Sequence, residues 1–330
     1  MAIAEGLGKV EVKQQEQTLV PPRRGRYKDF WRRFSRNRLA VVGLVIVAIW
    51  VFIGVTAPWI APYSYSQNDL SASQQMPSLQ HWLGTDKLGR DQFSRILWGA
   101  RTALIIAPLT VLFSFSLGII FGLIAGYMGG PIETFLMRLA DVLLALPTFL
   151  FALLLAVTVK PGLTSAMEAA PALKDLVRSG YAEYMIVILA LSLVGWAGLS
   201  RLVRAQVLTA KNSQFVEAAR AAGAGTTRIL TRHVLPNISA PIIVLMSMAM
   251  GGAIVAEVGL SFLGVGVQPP IPSWGIMLNE GWQNGLWRTS IAPFVVWAPG
   301  LIVSLLVFAF AFIGDGLNDA LNPHLDRGSQ

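Results

Sequence analysis

The sequence predicts an all-α integral membrane protein that crosses the bilayer six times. Three observations lead there. The 330 residues are 54% hydrophobic and only 13% charged, against roughly a quarter charged in a soluble domain. Mean hydropathy is +0.57. Six stretches are each long and apolar enough for a spanning helix, which needs about 20 residues. With so few charges the chain needs a solvent other than water, and it shows no obvious second soluble domain.

The predicted spans cover residues 39–61, 102–127, 135–159, 184–202, 238–263 and 291–314. Their interiors are nearly free of charge. Arg138, Asp141 and Arg201 fall near ends, where side chains can reach headgroups. Glu257 is the exception, after the helix-loosening pair Gly251-Gly252. An ionisable group at depth suggests a role in the translocation path, pairing with an outer arginine such as Arg90 or Arg95, or simple access to water near the outer surface.

Charge placement sets the orientation. The net charge is +8, and ten of the 26 Lys and Arg precede residue 39. A basic arm directly ahead of an apolar run reads as an orientation signal at an anionic membrane surface, not as a nucleic-acid site. The run is too long for a cleaved leader and reads as a retained anchor. With both ends in the cytoplasm, the inner segments and adjoining ends hold 18 Lys and Arg and the outer ones 8. The expected organisation is a cytoplasmic tail over 1–38, a first span, an outer loop over 62–101, a core over 102–314 and a cytoplasmic tail over 315–330.

Several loops carry structure. Phe93, Ile96, Leu97 and Ala100 share one helical face opposite Gln92 and Arg95, so 91–100 reads as a short helix on the outer interface. Phe30, Trp31 and Phe34, among Arg32, Arg33, Arg36 and Arg38, read as its inner counterpart. The outer segment 264–290 holds Pro269, Pro270 and Pro272 and must turn. Its Trp274, Trp282 and Trp287 suit an interfacial belt. Gly118, Gly122 and Gly126, four apart, should let a neighbouring helix approach closely. The outer loop 160–183 has no evident role.

Residues 205–237 join the fourth and fifth spans with far more chain than a bare connection needs. Ser213 can cap a helix through Phe215, Glu217, Ala218, Ala219 and Arg220. Gly223 can supply the left-handed turn that ends it. Thr226 or Thr227 can cap a second helix with Arg228, and Pro236 stops it. The expected product is a helix–turn–helix hairpin whose alanines admit a close neighbour and whose Glu217, Arg220 and Arg228 make charged contacts at its rim.

Glu217-Ala218-Ala219, three residues, Gly223, nine residues, then His233-Val234-Leu235-Pro236 resembles the cytoplasmic motif of ABC importer permeases. His233 stands where many families have Ile, as is usual in the dipeptide and oligopeptide branch. Gly84-Thr85-Asp86, Gly89-Arg90-Asp91, Leu260-Ser261-Phe262-Leu263-Gly264 and Pro272-Ser273-Trp274-Gly275 resemble the same branch. So does the end, Phe312-Ile313-Gly314-Asp315-Gly316-Leu317. The resemblance spans roughly residues 28–323. It implies a type I importer architecture and a second homologous permease subunit. It also implies two ATPase subunits that bind ATP and Mg, an extracytoplasmic substrate-binding protein and a peptide cargo. Close relatives carry nickel complexes or oligosaccharides. On this resemblance Glu217 would contact an ATPase, Gly223 would permit the turn, and the hairpin would tilt the spans in alternating access.

The sequence has no cysteine and no Gly-x-x-x-x-Gly-Lys-Ser/Thr loop, so nucleotide is expected on a partner. His81, His233 and His324 are isolated, and no metal spacing appears. A secondary transporter or channel would need ionisable groups near the midplane, which is almost bare. An intramembrane enzyme would need a paired nucleophile and base, and none is visible.

Overall fold

A computed structural model describes residues 26–290 and 293–321, and among them the regular structure is helical. Among the described residues, six helices are long and apolar enough to cross a membrane. In chain order the elements are α1 (Arg26–Phe34), α2 (Arg38–Ile60), α3 (Gln92–Met128), α4 (Gly130–Ala145), α5 (Thr148–Ala169), α6 (Lys174–Arg178) and α7 (Ala182–Ala210). There follow α8 (Gln214–Ala221), α9 (Thr226–Arg228), α10 (Leu235–Asn237), α11 (Ser239–Phe262), α12 (Trp274–Gln283) and α13 (Ala298–Leu321). Lys9, Lys13, Arg23, Arg24, His324, the tail after Leu321 and positions 291–292 of the sixth predicted span lie outside the described residues.

The inner aromatic helix exists as α1. It folds back on the last helix: Phe34 is buried with Ala40 and Ala320, while Trp31 stays exposed. Asn37 caps α2, its Oδ1 accepting from the Ala40 N–H at 3.1 Å, and its Nδ2 donates to Asp319 at 3.0 Å. One short polar side chain thus ends the interfacial helix, starts a span and ties it to the opposite terminus of the chain.

The centre of the fold is the α3–α7 pair, whose contact is the most extensive between any two helices. The three spaced glycines explain the close approach. A Cβ at Gly118 would lie 2.9 Å from the Leu199 Cβ, at Gly122 2.6 Å from the Val203 Cβ, and at Gly126 2.7 Å from the Val207 Cβ. Each is too short for two carbons. Glycines at i, i+4 and i+8 form a groove that receives the i, i+4, i+8 ridge of α7. The main core then gathers α3, α11 and α13 around Ala103, Ala107, Ile254 and Leu306.

Several boundaries differ from the sequence expectation. The predicted interfacial helix over 91–100 is the first part of α3, which runs unbroken for 37 residues. Its supposed polar face is buried along with the apolar one: Gln92 is 0% and Arg95 2% exposed. Arg95 finds partners inside the fold, which periodicity alone does not reveal. The predicted third span, 135–159, is two helices. Pro147 has no N–H to donate, and Leu146 takes extended backbone, so α4 ends and α5 begins there. The fourth span runs on to Ala210, and the last helix runs seven residues past Gly314 into the expected tail. The last span opens with a wide turn over Pro293–Trp297. Gly251-Gly252 leaves α11 unbroken. Part of the outer loop after Lys160 is the end of α5, and Lys160 Nζ reaches Glu183 at 3.0 Å.

Candidate functional site

The hairpin is built from α8, α9, a wide helical turn over Ile229–Val234, and α10. Ser213 occupies the position before α8 in extended backbone, but its hydroxyl donates to the Ala210 carbonyl and accepts from no N–H of α8. The predicted side-chain cap is therefore corrected to a backbone one. Gly223 has φ +79, the left-handed conformation the turn requires. Ala224 N–H donates to the Ala219 carbonyl and Gly223 N–H to the Arg220 carbonyl, both at 3.0 Å. This nested pair closes the C-terminus of α8 in the Schellman arrangement. The second helix is capped at Gly225, with Thr226 as its first residue, so neither predicted threonine is the cap.

Pro236 does not stop the second helix as expected: it lies inside α10, and the helical run ends only after Asn237. It cannot donate to a carbonyl one turn earlier, and the preceding turn widens so that Leu235 N–H reaches the Leu230 carbonyl. The chain then breaks at Ile238 before α11.

Three apolar residues anchor the hairpin. Val216, Ile229 and Val234 are at most 1% exposed and belong to the main core, with Ala219 and Leu235 packed against them. The opposite face is open. Phe215, Glu217, Ala218, Arg220, Gly223, Arg228 and Pro236 are exposed, and Ser213 is half-buried. Glu217 and Arg228 make no ion pair among the described residues. Arg220 Nη2 lies 3.5 Å from the Tyr127 hydroxyl at the end of α3. Lys211 Nζ donates to the Gly126 carbonyl at 3.3 Å. A rigid, core-anchored hairpin thus presents a small-residue surface flanked by free charges.

The structure adds a brace that single-residue reading missed. Asp141 pairs with Arg201, and Glu133 with Arg204, whose Nε donates at 2.6 Å. These pairs tie α4 to the end of α7 that leads into the hairpin. Arg138, Asp141 and Arg201 were expected to reach headgroups; Asp141 and Arg201 reach each other. Charges on separate helices gave no sequence signal of pairing.

At the other end of the bundle, Asp86, Arg90, Arg95 and Glu280 form a closed quartet. Asp86 Oδ2 accepts from Arg90 Nε and Arg95 Nη1, each at 2.7 Å. Glu280 Oε2 accepts from Arg90 Nη2 at 2.6 Å and Arg95 Nη2 at 2.7 Å. Burial alone would weaken the hold of Arg90 on its proton, but the Asp86 and Glu280 carboxylates outweigh it and raise its pKa above the ordinary arginine value. The quartet ties the start of α3 to α12. It also answers one expectation for Glu257, since both arginines are engaged elsewhere.

Glu257 is 1% exposed, so it does not reach water or headgroups. Its carboxylate accepts from Ser261 Oγ at 2.8 Å, and Ser261 Oγ accepts from the Val267 N–H at 3.2 Å. In this conformation the side chain fixes the fold-back of the proline-rich turn onto α11. Trp274 also leaves the predicted belt. It is 1% exposed, its Nε1 donates to the Ile96 carbonyl at 3.2 Å, and its ring closes on Gly99. Trp282 is exposed and stacks on Trp287, as a belt requires.

Residues 118–327 match the family model for the inner membrane component of binding-protein-dependent transport systems. Residues 25–77 match the N-terminal membrane domain of oligopeptide transport permease C. The dipeptide transport system permease protein DppC of Bacillus subtilis is 40% identical over 304 residues, 91% of this chain and 86% of that protein. The oligopeptide permease OppC of the same organism is 36% identical, covering 91% of this chain and 90% of its own length. The glutathione transport permease GsiD of Pectobacterium atrosepticum is 38% identical, covering 91% of both. With the hairpin, the six spans and these matches together, the chain belongs to the binding-protein-dependent transport permeases, multi-pass components of the inner membrane.

Proposed function

We propose that this chain is the permease subunit of an ATP-driven importer for short peptides, and that the 205–237 hairpin couples it to ATP hydrolysis. The observation that carries the coupling role is the division of the hairpin into two faces. Val216, Ile229 and Val234 lock it to the spanning helices, while Glu217, Ala218 and Arg220 face outward with no partner large enough to cover them. A lever needs both: rigid attachment to what it moves and a free surface for what moves it. The peptide cargo rests on the relatives named for dipeptides and oligopeptides.

In this reading the hairpin docks into a cleft on one of two ATPase subunits, which hold ATP and Mg. A second, homologous permease completes the path, and an extracytoplasmic binding protein delivers cargo. ATP binding draws the ATPases together and tilts the helices rooted in the hairpin, alternately exposing the cavity to each side. Both termini and the hairpin lie in the cytoplasm. The ion pairs from α4 to α7 transmit the hairpin's movement to the helix preceding the Pro147 break.

The test is peptide uptake by the two permeases and two ATPases in proteoliposomes supplied with ATP and the binding protein. Glu217→Lys reverses an exposed charge at the docking surface and leaves the anchors intact. Uptake should fall by about tenfold or more while the permease stays inserted, as for loss of a charged interface contact. Normal uptake by an assembled Glu217→Lys complex overturns the coupling role.

A further inference from the structure

At the quartet's end of the bundle, a cavity of about 400 Å³ opens between the start of α3, the start of α7 and the proline-rich turn. Tyr65, Trp98, Arg101, Arg178, Tyr181 and Tyr184 line it, and no acidic side chain does. The aromatic walls are braced. Tyr65 meets Trp98 edge-on with centroids 4.8 Å apart, and Tyr181 meets Tyr184 at 5.4 Å. Thr102 gives its one proton to the Pro272 carbonyl at 2.8 Å, so the Tyr184 hydroxyl, also at 2.8 Å, donates to Thr102. The back wall is therefore fixed by α3, α7 and the turn together.

Among the described residues, the two arginines of this cavity carry unpaired charge. Arg95 on α3 and Arg201 and Arg204 on α7 all have carboxylate partners. Arg101 only lies over the Trp98 ring, at 5.7 Å, and neither it nor Arg178 has a carboxylate within ion-pair distance among the described residues. Two uncompensated guanidinium groups in an aromatic cage match an oxyanion.

Depth decides which oxyanion. From Thr102 to Met128, α3 has no charged side chain. That is about 40 Å of helix, enough for the hydrocarbon core. In α7 no charged side chain occurs from Tyr184 to Ser200, about 25 Å of helix. Arg101 and Tyr184 thus mark the edge of the apolar stretch on both helices, the level at which phospholipid phosphates lie and aromatic side chains gather.

We propose that this cage binds the phosphate of one anionic phospholipid in the adjoining leaflet, with Arg101 and Arg178 holding the oxyanion. The inference is independent of the coupling role and of which leaflet this is.

Native mass spectrometry of the full chain in detergent, titrated with dioleoyl phosphatidylglycerol or dioleoyl phosphatidylcholine, tests it. The unaltered chain should retain one phosphatidylglycerol about tenfold more tightly than phosphatidylcholine. Arg101→Gln with Arg178→Gln should erase that preference. Arg178→Gln alone, at an exposed position on the short α6, should reduce it by about threefold, so the result does not hang on the double variant folding. Equal retention of the two lipids, or an unchanged preference in the variants, overturns the proposal. So does displacement by inorganic phosphate at equal concentration, which would mark a free-anion site. Displacement by dialanine but not by its C-terminal amide would assign the cage to cargo carboxylate instead.

Discussion

Arg95 shows how one residue can decide a boundary. On a helical wheel it sits with Gln92 on a polar face, yet it is 2% exposed and donates to both Asp86 and Glu280. Buried charges persist only when paired, and removal of one partner leaves the others uncompensated. Arg95→Met should therefore cost about 3–5 kcal/mol, read as a large drop in the thermal midpoint of the detergent-solubilised protein. An unchanged midpoint would mean that the quartet adds nothing. Gly122 is the complementary case, since what counts is a missing atom. Its place against Val203 leaves no room for a Cβ. Gly122→Leu should destabilise by about 2 kcal/mol or more through overpacking, in the same thermal assay. Gly252 faces open space, and Gly252→Ala should be nearly silent there.

Among the elements, the hairpin separates shape from surface. Gly223 has nothing within 4 Å of where a Cβ would stand, so only its positive φ restricts the position. Gly223→Asn, which tolerates left-handed backbone, should keep most of the uptake activity. Gly223→Val should lose about 1–2 kcal/mol of hairpin stability and most of the uptake, and Gly223→Pro, locked at negative φ, should lose all of it. Parallel loss in all three would point to the glycine's size and not its backbone. Much of this element was legible beforehand. The alanine-rich helix and the Gly223 turn follow from local chemistry, while Pro236 widens the turn before it and does not end the helix. Ser213 is the cap residue of α8 as expected, but its hydroxyl serves the Ala210 carbonyl behind it, since a hydroxyl can serve any nearby backbone group, and the second cap falls at Gly225 and not at Thr226 or Thr227.

For the whole molecule, the six spans were readable because the hydrocarbon core imposes length and apolarity on each helix separately. The glycine triplet on α3 announced one close helix contact, but the polar links between helices were not readable. The Asp141–Arg201 and Glu133–Arg204 pairs link residues about 60–70 apart in sequence, and the Arg90–Glu280 contact spans 190 positions. Nothing local announces such contacts. The break at Leu146-Pro147 was announced, by the proline, but sits inside an apolar run that hydropathy averages into one span. Glu257 illustrates the same limit: its depth was evident, while Ser261 as its partner is set by the fold-back of the chain after α11.

Coupling to the ATPases requires residues 205–237 to face the compartment that holds them. The chain has no cysteine, so Arg220→Cys introduces a single reactive thiol at an exposed position of the hairpin. Labelling with a membrane-impermeant maleimide compares inverted inner-membrane vesicles with right-side-out spheroplasts. The thiol should react in the inverted vesicles and be protected in the spheroplasts. Reaction in intact spheroplasts alone would place the hairpin outside and contradict the account.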